Sequence, residues 1–134
     1  MDLTTFPDNA LDILRPKRLA TPLVFSSPHS GRRYPKAFIN QSRLDALALR
    51  RSEDSFVDEI FSTVTDFGAP LIRALFPRAY VDVNREPFEL DPNMFCESLP
   101  DYVRTHSPRI TSGLGTIPRI VANGAAFYSD LLTF

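Results

Sequence analysis

Pro22-Leu23-Val24-Phe25-Ser26-Ser27 runs straight into Pro28-His29-Ser30-Gly31. The first six residues are a short apolar run bounded by turn chemistry, which predicts a buried β-strand. The next four are polar and bend-prone, so the chain turns at the strand's C-terminal end, where α/β proteins tend to place their sites. A neutral imidazole there, between a rigid proline and a permissive glycine, suits a zinc ligand. A satisfied histidine in a plain turn is the competing reading, because motifs this short recur by chance.

Outward from that stretch, residues 1–20 are proline-interrupted and read as an N-terminal surface arm, with at most a helical turn or two around 10–14. Residues 21–134 follow as one domain. Apolar positions over 42–49 fall at helical spacing, with Ser42 as N-cap. A second helix is predicted over about 52–67, where Phe56, Val57, Ile60, Phe61, Val64 and Phe67 share a face. Ser52 would cap it, Glu53 and Asp54 would face the positive end of its dipole, and Gly68 with Pro70 would stop it.

Two short strands are expected next, over 70–74 and 79–83. Residues 84–118 are rich in Pro, Asn, Asp and Gly, and a loop region this long usually serves a function. Residues 119–122 read as a strand edge or a loop, and 127–132 as the start of a helix. The chain is still apolar at Phe134, which raises the expectation that it is the N-terminal part of a longer protein.

Composition narrows the class. The 134 residues suffice for one compact domain, and 43% hydrophobic with 23% charged residues is ordinary for a globular chain. A formal net charge of −1 gives no electrostatic reason to expect nucleic acid or a membrane surface as partner. Cys96 is the single cysteine, so there is no internal disulfide and no cysteine-based zinc cluster. With no secretory signal and no membrane-length apolar run, a cytoplasmic protein is expected.

Three further segments carry candidate chemistry. Asp54 and Asp58 stand four apart, on one face of the predicted helix; either is a possible oxygen ligand, and a solvated helix start is the bland alternative. Tyr80-Val81-Asp82-Val83-Asn84-Arg85-Glu86-Pro87 delivers Asn84 and Arg85 at a strand end. The arginine fork would bind a carboxylate, with Asp82 orienting it, or would form a structural ion pair instead. Gly113-Leu114-Gly115-Thr116-Ile117-Pro118-Arg119 permits tight turns and would leave backbone N–H groups open to a ligand.

In this order and rough spacing, the four segments resemble the N-formylglutamate amidohydrolase family over about residues 20–134. The resemblance implies an α/β fold of the zinc carboxypeptidase-like kind, three layers (α/β/α) around a mixed sheet, here incomplete. It implies zinc-dependent hydrolysis of N-formyl-L-glutamate to formate and L-glutamate, one step of histidine degradation. By position, His29 and Asp54 would bind Zn2+, Asp54 being chosen over Asp58 as nearer the helix start. Asn84 and Arg85 would hold a substrate carboxylate, with Arg119 for the second. The family's further zinc-binding histidine and its catalytic glutamate have no counterpart here, and His106 reads as a loop residue. Another N-acyl amino acid amidohydrolase, or a non-catalytic carboxylate-binding domain, are the alternatives.

Overall fold

The computed structural model describes residues 10–121 and 123–134. Residues 1–9 of the expected arm, and Ala122 of the expected strand edge, lie outside the described residues. Strand β1 (Leu11–Leu14) pairs antiparallel with β3 (Leu71–Ala74), and β2 (Phe25–Ser27) pairs parallel with β3 on its other side. The sheet is therefore mixed, in the order β1-β3-β2, and the class is α/β as the family resemblance implied. Most of the expected helical turn at 10–14 is thus a strand, Leu11–Leu14, because Leu11 and Ile13 line up against Ala74 and Ile72. No helix among the described residues is long and apolar enough to cross a membrane.

The helices are short, and several differ from expectation. Helix α1 (Lys36–Gln41) was not foreseen; Ser42 ends it instead of capping the next one. Helix α2 (Ala46–Arg50) is capped by Asp45, whose side chain accepts the Ala48 N–H at 2.8 Å. The long helix expected over 52–67 is broken. Phe56 sits in the left-handed region at φ 65°, so helix α3 begins only at Val57 and ends at Ile60. From Phe61 to Phe67 the chain is a 3₁₀ helix. Ser62 and Thr65 hydroxyls donate to carbonyls three residues back, at 2.7 and 2.9 Å, which reinforces that tighter winding. The predicted apolar face is correspondingly not a buried stripe: Phe56, Ile60, Phe61 and Phe67 are exposed. Gly68, at φ 79°, ends the element as expected.

Residues 79–83 do not form a strand: the chain turns through 78–80, where Tyr80 N–H donates to the Pro77 carbonyl at 3.0 Å, and Asp82 N–H then donates to the Thr116 carbonyl at 2.8 Å. Residues 127–132 are extended rather than helical, because their backbone is taken by neighbours; Tyr128 bridges Ser42 and Leu132 bridges Phe95. The loop-rich region does contain a short 3₁₀ helix, Pro92–Met94, capped by Asp91, and a helix, α4 (Pro108–Thr111), capped by Ser107. Ile120 bridges Ala126, resolving that edge as a tight return.

The main core gathers Phe38, Leu49, Ala79, Val121 and Phe127, all from outside the three strands. Phe38 is its centre, with ring centroids of Tyr80, Tyr128 and Phe127 at 5.4, 6.0 and 6.1 Å. Such rings bury large apolar areas and add edge-to-face attraction. A smaller cluster of Leu90, Met94, Phe95 and Val103 supports the loop region. Phe38→Ala should lower the unfolding free energy in a denaturant titration by about 3–5 kcal/mol. A loss below about 1 kcal/mol would show that these rings do not form a shared core.

Candidate active site

The turn after β2 is held by one hydroxyl. Ser30, 1% exposed, bonds the Ser27 hydroxyl at 2.7 Å and donates to the Asp54 carbonyl at 2.9 Å, while Asp58 N–H reaches its oxygen at 3.2 Å. Asp54 N–H in turn donates to the His29 carbonyl at 3.1 Å. Gly31 packs so closely on the Phe76 carbonyl that a Cβ there would collide with it. These contacts press the histidine turn against the start of the 54–60 segment.

His29 is 6% exposed, and both ring nitrogens face carboxylates. Nε2 lies 2.8 Å from Asp82 Oδ1, and Nδ1 lies 3.3 Å from Asp54 Oδ2. Asp82 is 2% exposed and is the hub. Its Oδ1 also accepts the Asn84 N–H at 3.0 Å, and its Oδ2 accepts from Arg78 at 2.7 Å with Arg85 Nη2 at 3.5 Å. Burial pushes the Asp82 carboxyl up, but the hydrogen bonds from His29, Arg78 and the Asn84 N–H outweigh it and hold the group well below the usual carboxylate range. Asp82 is thus an anion with a settled role: it fixes the His29 ring and anchors two arginines.

Asp54, Arg78, Asp82 and Arg85 line one cavity of about 290 Å³, together with Arg51 and Glu53. Leu114, Pro118, Ile120 and Phe127 complete its lining. A pocket lined by three arginines, three acidic residues and several apolar side chains suits a small polar ligand with an aliphatic portion, and the arginines are its candidate carboxylate contacts. Arg78 was not singled out from sequence. Its place in a connecting loop gave no signal, although Pro77-Arg78 directly precedes the segment that holds Asp82.

The remaining candidates separate. Asp58 points elsewhere and is clamped by Arg32 at 3.3 Å and Arg73 at 3.2 Å, because the left-handed Phe56 turns it off the Asp54 face. Asn84 is exposed and does not line the cavity; its backbone N–H enters the site. Arg119 lies away from it, paired with Asp91 at 2.9 Å and lining a different cavity. His106 is exposed, its Nδ1 at 2.8 Å from the Thr105 hydroxyl. The N–H groups of Gly113, Leu114 and Thr116 are already engaged, so the 113–119 loop does not offer these three to a ligand.

The donor set fits part of a zinc site. With the Nε2 proton directed at Asp82, the Nδ1 lone pair and the Asp54 carboxylate face each other, an arrangement that needs a proton or a cation between them. A catalytic zinc normally takes three protein ligands. Among the described residues no group of three or more His, Cys, Asp or Glu side chains is arranged to hold a metal.

A family model described as N-formylglutamate amidohydrolase matches residues 21–134. The crystal structure of N-formylglutamate amidohydrolase from Ralstonia eutropha JMP134 matches with a TM-score of 0.81 and 32% sequence identity. That match covers 92% of this chain and 43% of the other, so this chain spans less than half the length of that protein. Among curated proteins, none matches.

One wall of the cavity carries a titration that can be checked. Tyr34 donates to Glu53 at 2.7 Å, and burial first, then this bond, push its phenol up from its usual value. A raised phenol contributes stability in full below the unfolded value of about 10 and loses it as pH rises further. Unfolding free energy measured against pH should therefore fall above pH of about 10, and fall less steeply in Tyr34→Phe. Equal slopes would show that Tyr34 titrates alike in both states.

Proposed function

The chain belongs to the N-formylglutamate amidohydrolase family, and on that premise we propose that its cavity serves zinc-dependent hydrolysis of N-formyl-L-glutamate to formate and L-glutamate. The observation that carries this reading is the pairing of buried His29 Nδ1 with Asp54 at 3.3 Å, Asp54 being the member of the pair that lines the cavity with Arg78 and Arg85. Such a reaction belongs to histidine degradation and to the cytoplasm.

His29 and Asp54 are the residues that would hold the zinc. Bound there, the ion supplies a water of lowered pKa and a Lewis acid for the amide oxygen. The protein's own part is positional. Asp82 keeps the Nε2 proton of His29 in place, so the lone pair on Nδ1 stays aimed at the site. Arg85 takes a carboxylate of the substrate through its planar fork. Arg78, held by Asp82 at 2.7 Å and 3.6 Å from Asp54, adds positive charge where the amide oxygen gains negative charge. Leu114, Pro118 and Ile120 are the lining residues that receive the methylenes of the substrate and exclude water there. The third metal donor and the group that protonates the departing amine are not among these residues.

One observation favours a second reading. A cavity lined by three arginines, with no group of three metal donors arranged among the described residues, also suits a carboxylate-binding domain that performs no hydrolysis. Calorimetric titration with zinc, followed by N-formyl-L-glutamate and an assay for formate, separates the two. On the leading reading zinc binds one per chain, and His29→Ala weakens it by at least about tenfold. Unchanged zinc binding in His29→Ala would remove that histidine from the site, and ligand binding indifferent to zinc would favour the second reading. Arg85→Lys should weaken N-formyl-L-glutamate by about tenfold through loss of one charge-assisted hydrogen bond. An unchanged affinity would exclude Arg85 as the carboxylate contact.

A further inference from the structure

We propose that the loop of residues 113–119 positions the Arg85 guanidinium for its ligand, with Gly115 as the residue whose missing side chain sets the fit. The inference rests on the reading of Arg85 as the carboxylate contact. A guanidinium carries five N–H groups. In Arg85, Nε donates to the Leu114 carbonyl at 3.1 Å and Nη1 to the Asn84 carbonyl at 3.0 Å. Those two bonds fix the plane of the fork and turn its remaining donors toward Asp82 and the cavity. The Leu114 carbonyl therefore acts on the ligand contact itself, one bond removed from the ligand.

The loop is fastened so that this carbonyl cannot drift. Leu114 N–H donates to the Arg109 carbonyl at 2.8 Å, Thr116 N–H to the Glu89 carbonyl at 2.9 Å, and Thr116 Oγ1 to the Glu86 carbonyl at 2.6 Å. Thr116 returns the favour to the site by accepting the Asp82 N–H at 2.8 Å. One short loop thus holds the backbone of Asp82 and the side chain of Arg85.

Gly115 is the point where the loop meets its support. A Cβ there would lie 2.5 Å from the Glu89 carbonyl oxygen. Glu89 has little room to yield: it is 2% exposed, bridges Arg104, and its Oε2 is buried with no hydrogen-bond partner, 3.9 Å from Arg109 Nη1. A side chain at 115 therefore moves the loop, and the carbonyl of Leu114 moves with it. The small residue is required by close approach, not by φ.

The test is proton exchange at Arg85 Nε–H by ¹⁵N NMR on the whole chain, with the resonance assigned by its loss in Arg85→Lys. In wild type this proton should exchange more slowly than those of exposed arginines. Gly115→Ala should speed it by about fivefold, the equivalent of one ordinary hydrogen bond. Thr116→Val, which keeps shape and deletes one anchor, should speed it less, and Thr116→Ser should restore the wild-type rate. Unchanged exchange in folded Gly115→Ala and Thr116→Val overturns the proposal; if Gly115→Ala does not fold, Thr116→Val decides alone. In parallel, the affinity for N-formyl-L-glutamate should fall about fivefold in Gly115→Ala. Should wild type bind no N-formyl-L-glutamate, the reading of the site fails, while the exchange rates still judge the loop.

Discussion

A carboxylate sealed from water must be matched by donors, or it destabilises the fold that buries it. Asp82 is in that position, and its matching donors come from three places: the His29 ring, the Arg78 fork and the Asn84 backbone N–H. The requirement runs in both directions. The anion needs those donors to stay buried, and by holding them it fixes an imidazole that lies 53 residues away in sequence. Everything proposed for the cavity depends on that imidazole having one orientation and one tautomer.

The two aspartates of the acidic segment show how little sequence spacing decides by itself. Asp54 and Asp58 would share a face on a regular helix. A single left-handed residue, Phe56, separates them, and the Arg32 guanidinium lying 5.3 Å from its ring centroid helps to hold it there. Asp54 stays half-exposed beside His29, as a group offered to a ligand must be. Asp58 is drawn into a chain of ion pairs in which Arg73 joins it to Asp12, tying β1 and β3 to α3. Pairs of that kind, partly open to water, contribute up to about 1 kcal/mol each. Their service is alignment of elements more than stability.

The loop region around residues 84–118 plays a comparable part. It has little regular structure, yet two of its carbonyls reach back to the site: that of Thr116 accepts the Asp82 N–H and that of Leu114 accepts from Arg85 Nε. Leu114 supplies both a carbonyl to Arg85 and part of the cavity lining, so one residue serves the orientation of the charged group and the apolar lining.

The sequence by itself determined the parts of this protein that depend on local chemistry. A strand ahead of His29, a strand over 70–74 and the stop at Gly68 follow from apolar runs and turn residues over a few positions. Only Phe25–Ser27 of the expected buried strand is a strand, however, and Leu23 and Val24 are exposed. The family was legible because its motifs are contiguous, and the family resemblance implied the mixed α/β class. Tertiary structure decided what depends on distant partners. It broke the helix over 52–67 at Phe56, made Leu11–Leu14 a strand by giving it β3, and kept 127–132 extended by lending its backbone to Ser42 and Phe95. It also brought Arg78 to the cavity, left Arg119 with Asp91, and made Asp82 the residue on which His29 rests. No local pattern marks such roles, because a buried charge is assigned its partners by the space around it and not by its neighbours in the chain.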